Sequence, residues 1–156
     1  ARLIRNALAI SPRDLAQFTD FRTAVETHVA AQAARCATSE QIAEIEELCN
    51  RMDCWDESYE GAIELDFAFH RKLIEISNNH IMLTVMTVMQ EFFLAAMAET
   101  TPKPRDRQVS QRLHRAILEA IRNGDADEAR RAMQKHMSVT YERMQRAAEK
   151  DEGEGS

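Results

Sequence analysis

Asp66 and His70 are the first residues of this sequence whose types and spacing suggest chemistry. They stand four positions apart, so on a helix their side chains project together from neighbouring turns. Ile63 and Leu73 fall on the same stripe, whereas Glu64 falls on the opposite face. The stripe with Asp66 and His70 is therefore predicted to face the core, where an ionised carboxylate needs a partner.

Two further histidines are predicted to face inward and to meet each other. His114 and His136 each lie on an apolar stripe, and Asn123-Gly124 between them is typical of a helix end. His114 lies nine residues before Asn123, and His136 lies eleven after Asp125. These spacings correspond to about 14 Å and about 17 Å along the two helices. The two imidazoles are therefore expected to be neighbours across a helical hairpin.

Three imidazoles and one carboxylate are typical ligands of a divalent transition metal. We therefore interpret Asp66, His70, His114 and His136 as candidate metal ligands, with zinc as the first expectation and nickel, manganese or iron as alternatives. A buried hydrogen-bonded network of the same four residues is the competing interpretation. The spacing leaves both open, because convergence of the helices is inferred rather than seen.

Two arginines are candidates for binding an anionic ligand. Arg22 falls on the centre of the apolar stripe of the first long helix. It is interpreted either as neutralised by Glu26 one turn later or as a guanidinium that grips a carboxylate. Arg107 leans toward the stripe of His114 and is the second candidate for this effector-binding role.

The amino-acid composition argues against several classes of protein. The formal net charge is −6 and the pI is about 5.4, which argues against wrapping nucleic acid without a further domain. Four Gly and three Pro are too few for a β-sandwich or barrel. Three cysteines, which cannot all pair within one chain, favour a reduced, cytoplasmic protein. Thr84, Gln90 and Glu91 interrupt the apolar segment 81–98, so no membrane span is expected.

Start and stop signals predict an all-α, antiparallel bundle of about six to seven helices. A capping box at Thr38–Gln41 and an N-cap at Asp125 are the clearest of these signals. Residues 1–13 are expected to be a linker or short helix, residues 14–149 one helical domain, and residues 150–156 a disordered tail. The six predicted helices cover approximately residues 12–37, 39–52, 59–77, 80–99, 105–122 and 126–149.

Arg22, the pair Asp66 and His70, and the histidines His114 and His136 occur in an order and at spacings that resemble a known family. That family is the C-terminal effector (FCD) domain of the FadR subfamily of GntR-type bacterial transcription regulators. The resemblance covers residues 14–145. One departure is Leu113, where an acidic residue often precedes the ligand histidine. The matching positions are Phe21-Arg22, Val25-Glu26, Asp66 to His70, Ser77 to Asn79, His114 to Ile117, Ala120-Ile121, Gly124-Asp125, Ala129, Met133 and His136.

The resemblance implies a dimerising helical bundle that senses a ligand. It implies a divalent metal on Asp66, His70, His114 and His136, and a small carboxylate effector that meets Arg22. Such domains normally follow a winged helix-turn-helix domain, so this chain is expected to be the effector half of a homodimeric regulator that contacts operator DNA only through that missing domain. We expect no enzymatic activity. The alternatives are a metal-dependent enzyme with an open site, or a dimerisation module that a metal only staples.

Overall fold

A computed structural model of the chain describes residues 12–54, 59–100 and 107–154. The secondary structure of these residues is entirely helical, which confirms the predicted fold class. None of the described helices combines the length and the apolar content that a membrane crossing requires. The six helices are α1 (Pro12–Cys36), α2 (Ser39–Cys54), α3 (Tyr59–Ile76), α4 (His80–Thr100), α5 (Arg107–Arg122) and α6 (Ala126–Glu154).

Side-chain caps begin three of these helices. Thr38 Oγ1 accepts a hydrogen bond from the Gln41 backbone N–H at 3.2 Å, and Gln41 Oε1 accepts one from the Thr38 N–H at 2.9 Å. Asp125 Oδ1 accepts from the Glu128 N–H at 2.9 Å, and Asn79 Oδ1 accepts from the Met82 N–H at 3.0 Å. Each bond satisfies a donor that the first turn of a helix leaves unpaired. The predicted capping box and the Asp125 cap are therefore confirmed.

The core lies where α1, α3, α5 and α6 pack together, with α2 against α3 and α5. α4 packs on α3 at the edge of this group. Cys49 on α2 is buried, and burial raises the pKa of its thiol to about 12, so it is an inert core residue. Side chains that are fully removed from solvent include Val29, Ile45, Phe69, Leu73, Ile74, Ile117, Leu118 and Met133.

The last helix continues farther than the sequence pattern predicted. α6 ends at Glu154, five residues beyond its expected end, so residues 150–154 of the expected disordered tail are helical. Residues 146–150 (Arg-Ala-Ala-Glu-Lys) are good helix formers, which favours continuation of the helix past Glu149. Pro12 and Arg13, the last two residues of the expected linker at residues 1–13, belong to α1. The rest of that linker (residues 1–11), the segments 55–58 and 101–106, and residues 155–156 lie outside the described residues.

The turn between α5 and α6 aligns two of the candidate ligands. Gly124 has φ +70°, a left-handed conformation that glycine adopts without steric cost. The Asp125 N–H donates to Ala120 O and the Gly124 N–H donates to Ile121 O, each at 3.0 Å. This pair of bonds is the Schellman motif. The turn therefore reverses the chain sharply and brings α5 and α6 together as an antiparallel hairpin.

We expect Gly124→Ala to lower the free energy of unfolding by about 1 kcal/mol. A Cβ at this position meets Ala34 O at an ordinary 3.7 Å, so the cost comes from the positive φ rather than from a clash. Urea denaturation measures the change. Gly124→Asn is the control, with a smaller loss, since asparagine tolerates this conformation better. Equal stability of the alanine variant and the original chain would contradict the explanation.

Candidate metal centre

Three helices bring the four candidate metal ligands together in the interior. α3 contributes Asp66 and His70, α5 contributes His114 and α6 contributes His136. All four residues are buried, and one ligand atom from each lies within 4.8 Å of the other three. The structure therefore gathers the residues that the spacing selected, including the two histidines expected to meet across the α5–α6 hairpin.

Individual distances within the cluster suit a shared cation. His70 Nε2 lies 3.0 Å from His136 Nε2, and His114 Nε2 lies 3.2 Å from Asp66 Oδ1. His70 Nε2 lies 3.9 Å from Asp66 Oδ2. Two ligands bound to one zinc ion at about 2.1 Å lie about 3.4 Å apart in a tetrahedral shell. These three distances lie within about 0.5 Å of that spacing, so these pairs need only small shifts to share an ion, whereas the widest separation in the set, up to 4.8 Å, needs a larger one.

A purely hydrogen-bonded network accounts poorly for His114. Nε2 of His114 is buried and has no hydrogen-bond partner among the described residues, although it lies 3.2 Å from Asp66 Oδ1. An unpaired buried nitrogen costs about 1–3 kcal/mol. A divalent cation would use the lone pair of that nitrogen, so the donor set fits a metal better than it fits a closed network.

Burial and charge set the protonation states of the groups around the cluster. Burial, together with the neighbouring His114 and His70, holds the pKa of His136 well below its usual value, so its imidazole is neutral and able to bind a metal. Burial alone would raise the pKa of Glu26, but Arg22 and His70 outweigh it and hold the value at about 2. Glu26 is therefore an ionised carboxylate in the core.

Glu26 on α1 has two partners in the structure, of which the sequence predicted only Arg22. Its Oε1 accepts from Arg22 Nε at 2.6 Å, as the spacing of one helical turn suggested. Its Oε2 contacts His70 Nδ1, on the ring edge opposite the nitrogen that faces the cluster. Forty-four positions separate Glu26 from His70, so no local spacing could indicate this second contact.

Arg22 is buried on α1 in a partly aromatic environment. Its guanidinium carbon lies 5.9 Å from the ring centroid of Phe18 and 5.6 Å from that of Phe67, distances typical of cation–π interactions. The i, i+4 spacing of Phe18 and Arg22 is a signal that sequence inspection could have used. Arg107 is the first residue of α5, and its side chain lies outside the described part of the structure.

Phe69 forms an apolar wall of the cluster. Its ring centroid lies 4.6 Å from that of His114 and 5.5 Å from that of His70, with interplanar angles of 65° and 82°. Edge-on packing of this kind fixes the plane of each imidazole. A groove of about 410 Å³ lies elsewhere, between α5 and α6, and is lined by residues that include Arg112, Leu113 and Lys135 but none of the four candidate ligands.

Comparison with protein families assigns the domain. Residues 17–139 match the family model of the FCD domain, and this region contains all four candidate ligands, Arg22 and Glu26. The chain belongs to the FCD domain family. The FCD domain predicted from the sequence is therefore confirmed, and the all-helical bundle is the fold of this domain.

Curated relatives of this FCD domain include regulators about twice its length. It is 33% identical over 132 residues to the HTH-type transcriptional repressor NanR of Escherichia coli K12, covering 81% of this chain and 49% of the relative. The protein of the same name from Enterobacter sp. strain 638 is 33% identical over 136 residues, covering 81% of this chain and 50% of that protein. The domain thus spans about half the length of these relatives.

Two solved structures share the fold of the FCD domain. Streptococcus agalactiae GntR superposes with a TM-score of 0.72 at 22% identity, covering 87% of this chain and 62% of the other. Escherichia coli McbR/YncC superposes with a TM-score of 0.69 at 17% identity, covering 93% and 76%. The FCD family and the curated relatives, which are transcriptional repressors, place the domain among regulatory proteins rather than enzymes, as the sequence predicted.

Proposed function

We propose that this FCD domain is the ligand-sensing and dimerisation domain of a GntR-type, FadR-subfamily transcription regulator. The relatives named as HTH-type repressors support this role, because the domain accounts for only about half of their length. The operator would be contacted by a separate DNA-binding domain in a cytoplasmic homodimer. The net charge of −6 agrees with a domain that leaves DNA contacts to another part of the protein.

The convergence of Asp66, His70, His114 and His136 in the core is the observation that carries this proposal. These residues would hold a divalent cation, with zinc as the first candidate. When bound, such an ion supplies a Lewis-acidic position for an oxygen of an organic acid. The imidazole of His136 is already neutral, which removes one proton that a metal would otherwise displace.

Arg22 is the proposed second contact for a small carboxylate effector. Its bond to Glu26 uses Nε–H, one of five N–H donors of a guanidinium, so the terminal donors suit a bidentate carboxylate. Because α1, α3, α5 and α6 all contribute residues around this site, an effector bound here would favour one arrangement of these helices over another. That preference would shift the DNA-binding state of the dimer. Arg107 remains a proposed additional contact.

Isothermal titration calorimetry of the metal-loaded domain against hydroxy, keto and sugar acids tests the sensor function. We expect at least one of these acids to bind, and Arg22→Met to weaken its binding. The carboxylate panel is titrated in parallel into metal-free protein, where binding should be weaker. Uptake of metal with no binding of any acid would point instead to a structural staple.

An exposed apolar stripe on α4 is the surface that we propose for dimerisation. Ile81 is 75% exposed and Val88 is 60% exposed, and Val85 lies between them on the same face. Their spacing of four and three residues aligns them along one side of the helix. Contiguous exposed apolar residues of this kind mark surfaces that bind another protein.

We expect Val88→Asp to convert the dimer into a monomer, because a buried, unpaired carboxylate would be introduced into the interface. Size-exclusion chromatography with light scattering measures the mass. Ala43→Asp, at an exposed position of α2, is the control and should leave the mass unchanged. A dimer that persists in the Val88 variant would place the interface elsewhere.

A further inference from the structure

Glu26 uses its two carboxylate oxygens for two different partners. It is 0% exposed on α1, and its Oε1 accepts from Arg22 Nε at 2.6 Å. Its Oε2 contacts Nδ1 of His70 on α3. The other ring nitrogen of His70, Nε2, faces the ligand cluster 3.0 Å from His136 Nε2. One carboxylate thus links the proposed effector-binding arginine to a proposed metal ligand.

A neutral imidazole carries one proton, and the partner of one nitrogen decides which nitrogen keeps its lone pair. A carboxylate can only accept hydrogen bonds, so Glu26 Oε2 places the proton of His70 on Nδ1. The lone pair is then on Nε2, the nitrogen that faces the cluster. Metal-binding histidines are commonly held in this way by a carboxylate on the far side of the ring.

We propose that Glu26 is a positioning residue that presets His70 for metal binding, and that Arg22 acts on the same histidine through Glu26. This inference rests on the metal binding proposed above. His70 differs here from the other two imidazoles, because a carboxylate contacts its Nδ1, whereas Nδ1 of His114 and Nδ1 of His136 have neither a carboxylate contact nor a hydrogen-bond partner among the residues described. The preset ligand is therefore the one connected to Arg22.

The substitution Glu26→Gln separates this role from simple packing, because an amide has one acceptor and one donor where the carboxylate has two acceptors. Arg22 can only donate, so it takes the amide oxygen. The amide NH₂ then faces His70 Nδ1, which must become the acceptor, and the ring proton moves to Nε2. The variant keeps nearly the same shape but presents an N–H to the metal site.

Long-range ¹H–¹⁵N NMR of the imidazoles in the metal-free domain measures the tautomer, and competition with a chromophoric chelator measures zinc affinity. We expect His70 of the original chain to carry its proton on Nδ1. Glu26→Gln should move the proton to Nε2 and weaken zinc binding about 10- to 100-fold, the usual effect of losing such a partner. The double variant Arg22→Met with Glu26→Gln should recover most of that affinity, because the amide oxygen is then free to turn toward His70.

Two controls keep the outcomes separate. Glu64→Gln, on the exposed face of α3, should change neither tautomer nor zinc affinity. Should Glu26→Gln fail to fold, Glu26→Asp keeps two acceptors and should retain the Nδ1–H tautomer. Zinc binding by the original chain combined with an unchanged tautomer and affinity in Glu26→Gln would overturn the role of Glu26. Failure of the original chain to bind zinc would instead overturn the proposed function, while the tautomer measurement would still stand.

Discussion

Replacement of His114 by alanine is expected to reduce zinc affinity by about 100-fold or more. This loss exceeds the roughly 10- to 100-fold that is usual when a residue hydrogen-bonded to a metal ligand is removed, because His114 is itself a proposed ligand. His114 supplies the cluster nitrogen that has no hydrogen-bond partner among the described residues. At a zinc concentration about 100 times Kd, the original domain should gain about 2.7 kcal/mol of stability. The variant should gain almost none at the same concentration. Chelator competition and thermal melting with and without zinc measure the two effects.

His28→Ala is the matched control for the loss of an imidazole, because His28 is exposed on α1. This variant should bind zinc like the original chain. A zinc-dependent rise in melting temperature that survives in His114→Ala would show that the ion binds elsewhere. Loss of the zinc-dependent rise in melting temperature in His28→Ala would also show that the ion binds elsewhere.

Phe69→Ala should lower the free energy of unfolding by about 3–5 kcal/mol, more than any other substitution considered above. Phe69 is 0% exposed, and its truncation leaves a cavity beside His70 and His114. Against a total of about 5–15 kcal/mol for an ordinary domain, this loss is a large fraction. Urea denaturation of the metal-free protein gives the value.

Phe21→Ala serves as the control, since Phe21 is 41% exposed on α1 and its removal should cost well below the value for Phe69. The milder Phe69→Leu keeps an apolar side chain in place and should lose less stability than the alanine variant. Similar losses for Phe21→Ala and Phe69→Ala would contradict the view that Phe69 is a central element of the core.

The number of helices and their approximate ends could be predicted from the sequence, because the residues that begin and end a helix lie close to it in the chain. The Thr38 capping box and the Asn123-Gly124 turn each lie within a few residues of the helix end that they mark. The approach of His114 and His136, whose ring centroids lie 4.5 Å apart, followed from counting residues on either side of one turn. Asp66 and His70 were selected because they replace apolar residues on an otherwise apolar stripe.

Contacts between helices that are distant in sequence could not be predicted in this way. Glu26 reaches His70 only because α1 and α3 pack together, and the nearer Arg22 already explained the carboxylate. Likewise, the place of Phe69 against two imidazoles depends on how α3 and α5 cross rather than on any spacing. The metal and the effector stay predictions, since side chains define a site without showing what occupies it.

The Schellman turn at Gly124 constrains how this chain can change in length during evolution. His114 and His136 sit on opposite arms of the hairpin, nine residues before Asn123 and eleven after Asp125. Loss or gain of one residue in either arm rotates its imidazole by about 100° and slides it by about 1.5 Å. Insertions and deletions between these two histidines should therefore be eliminated by selection.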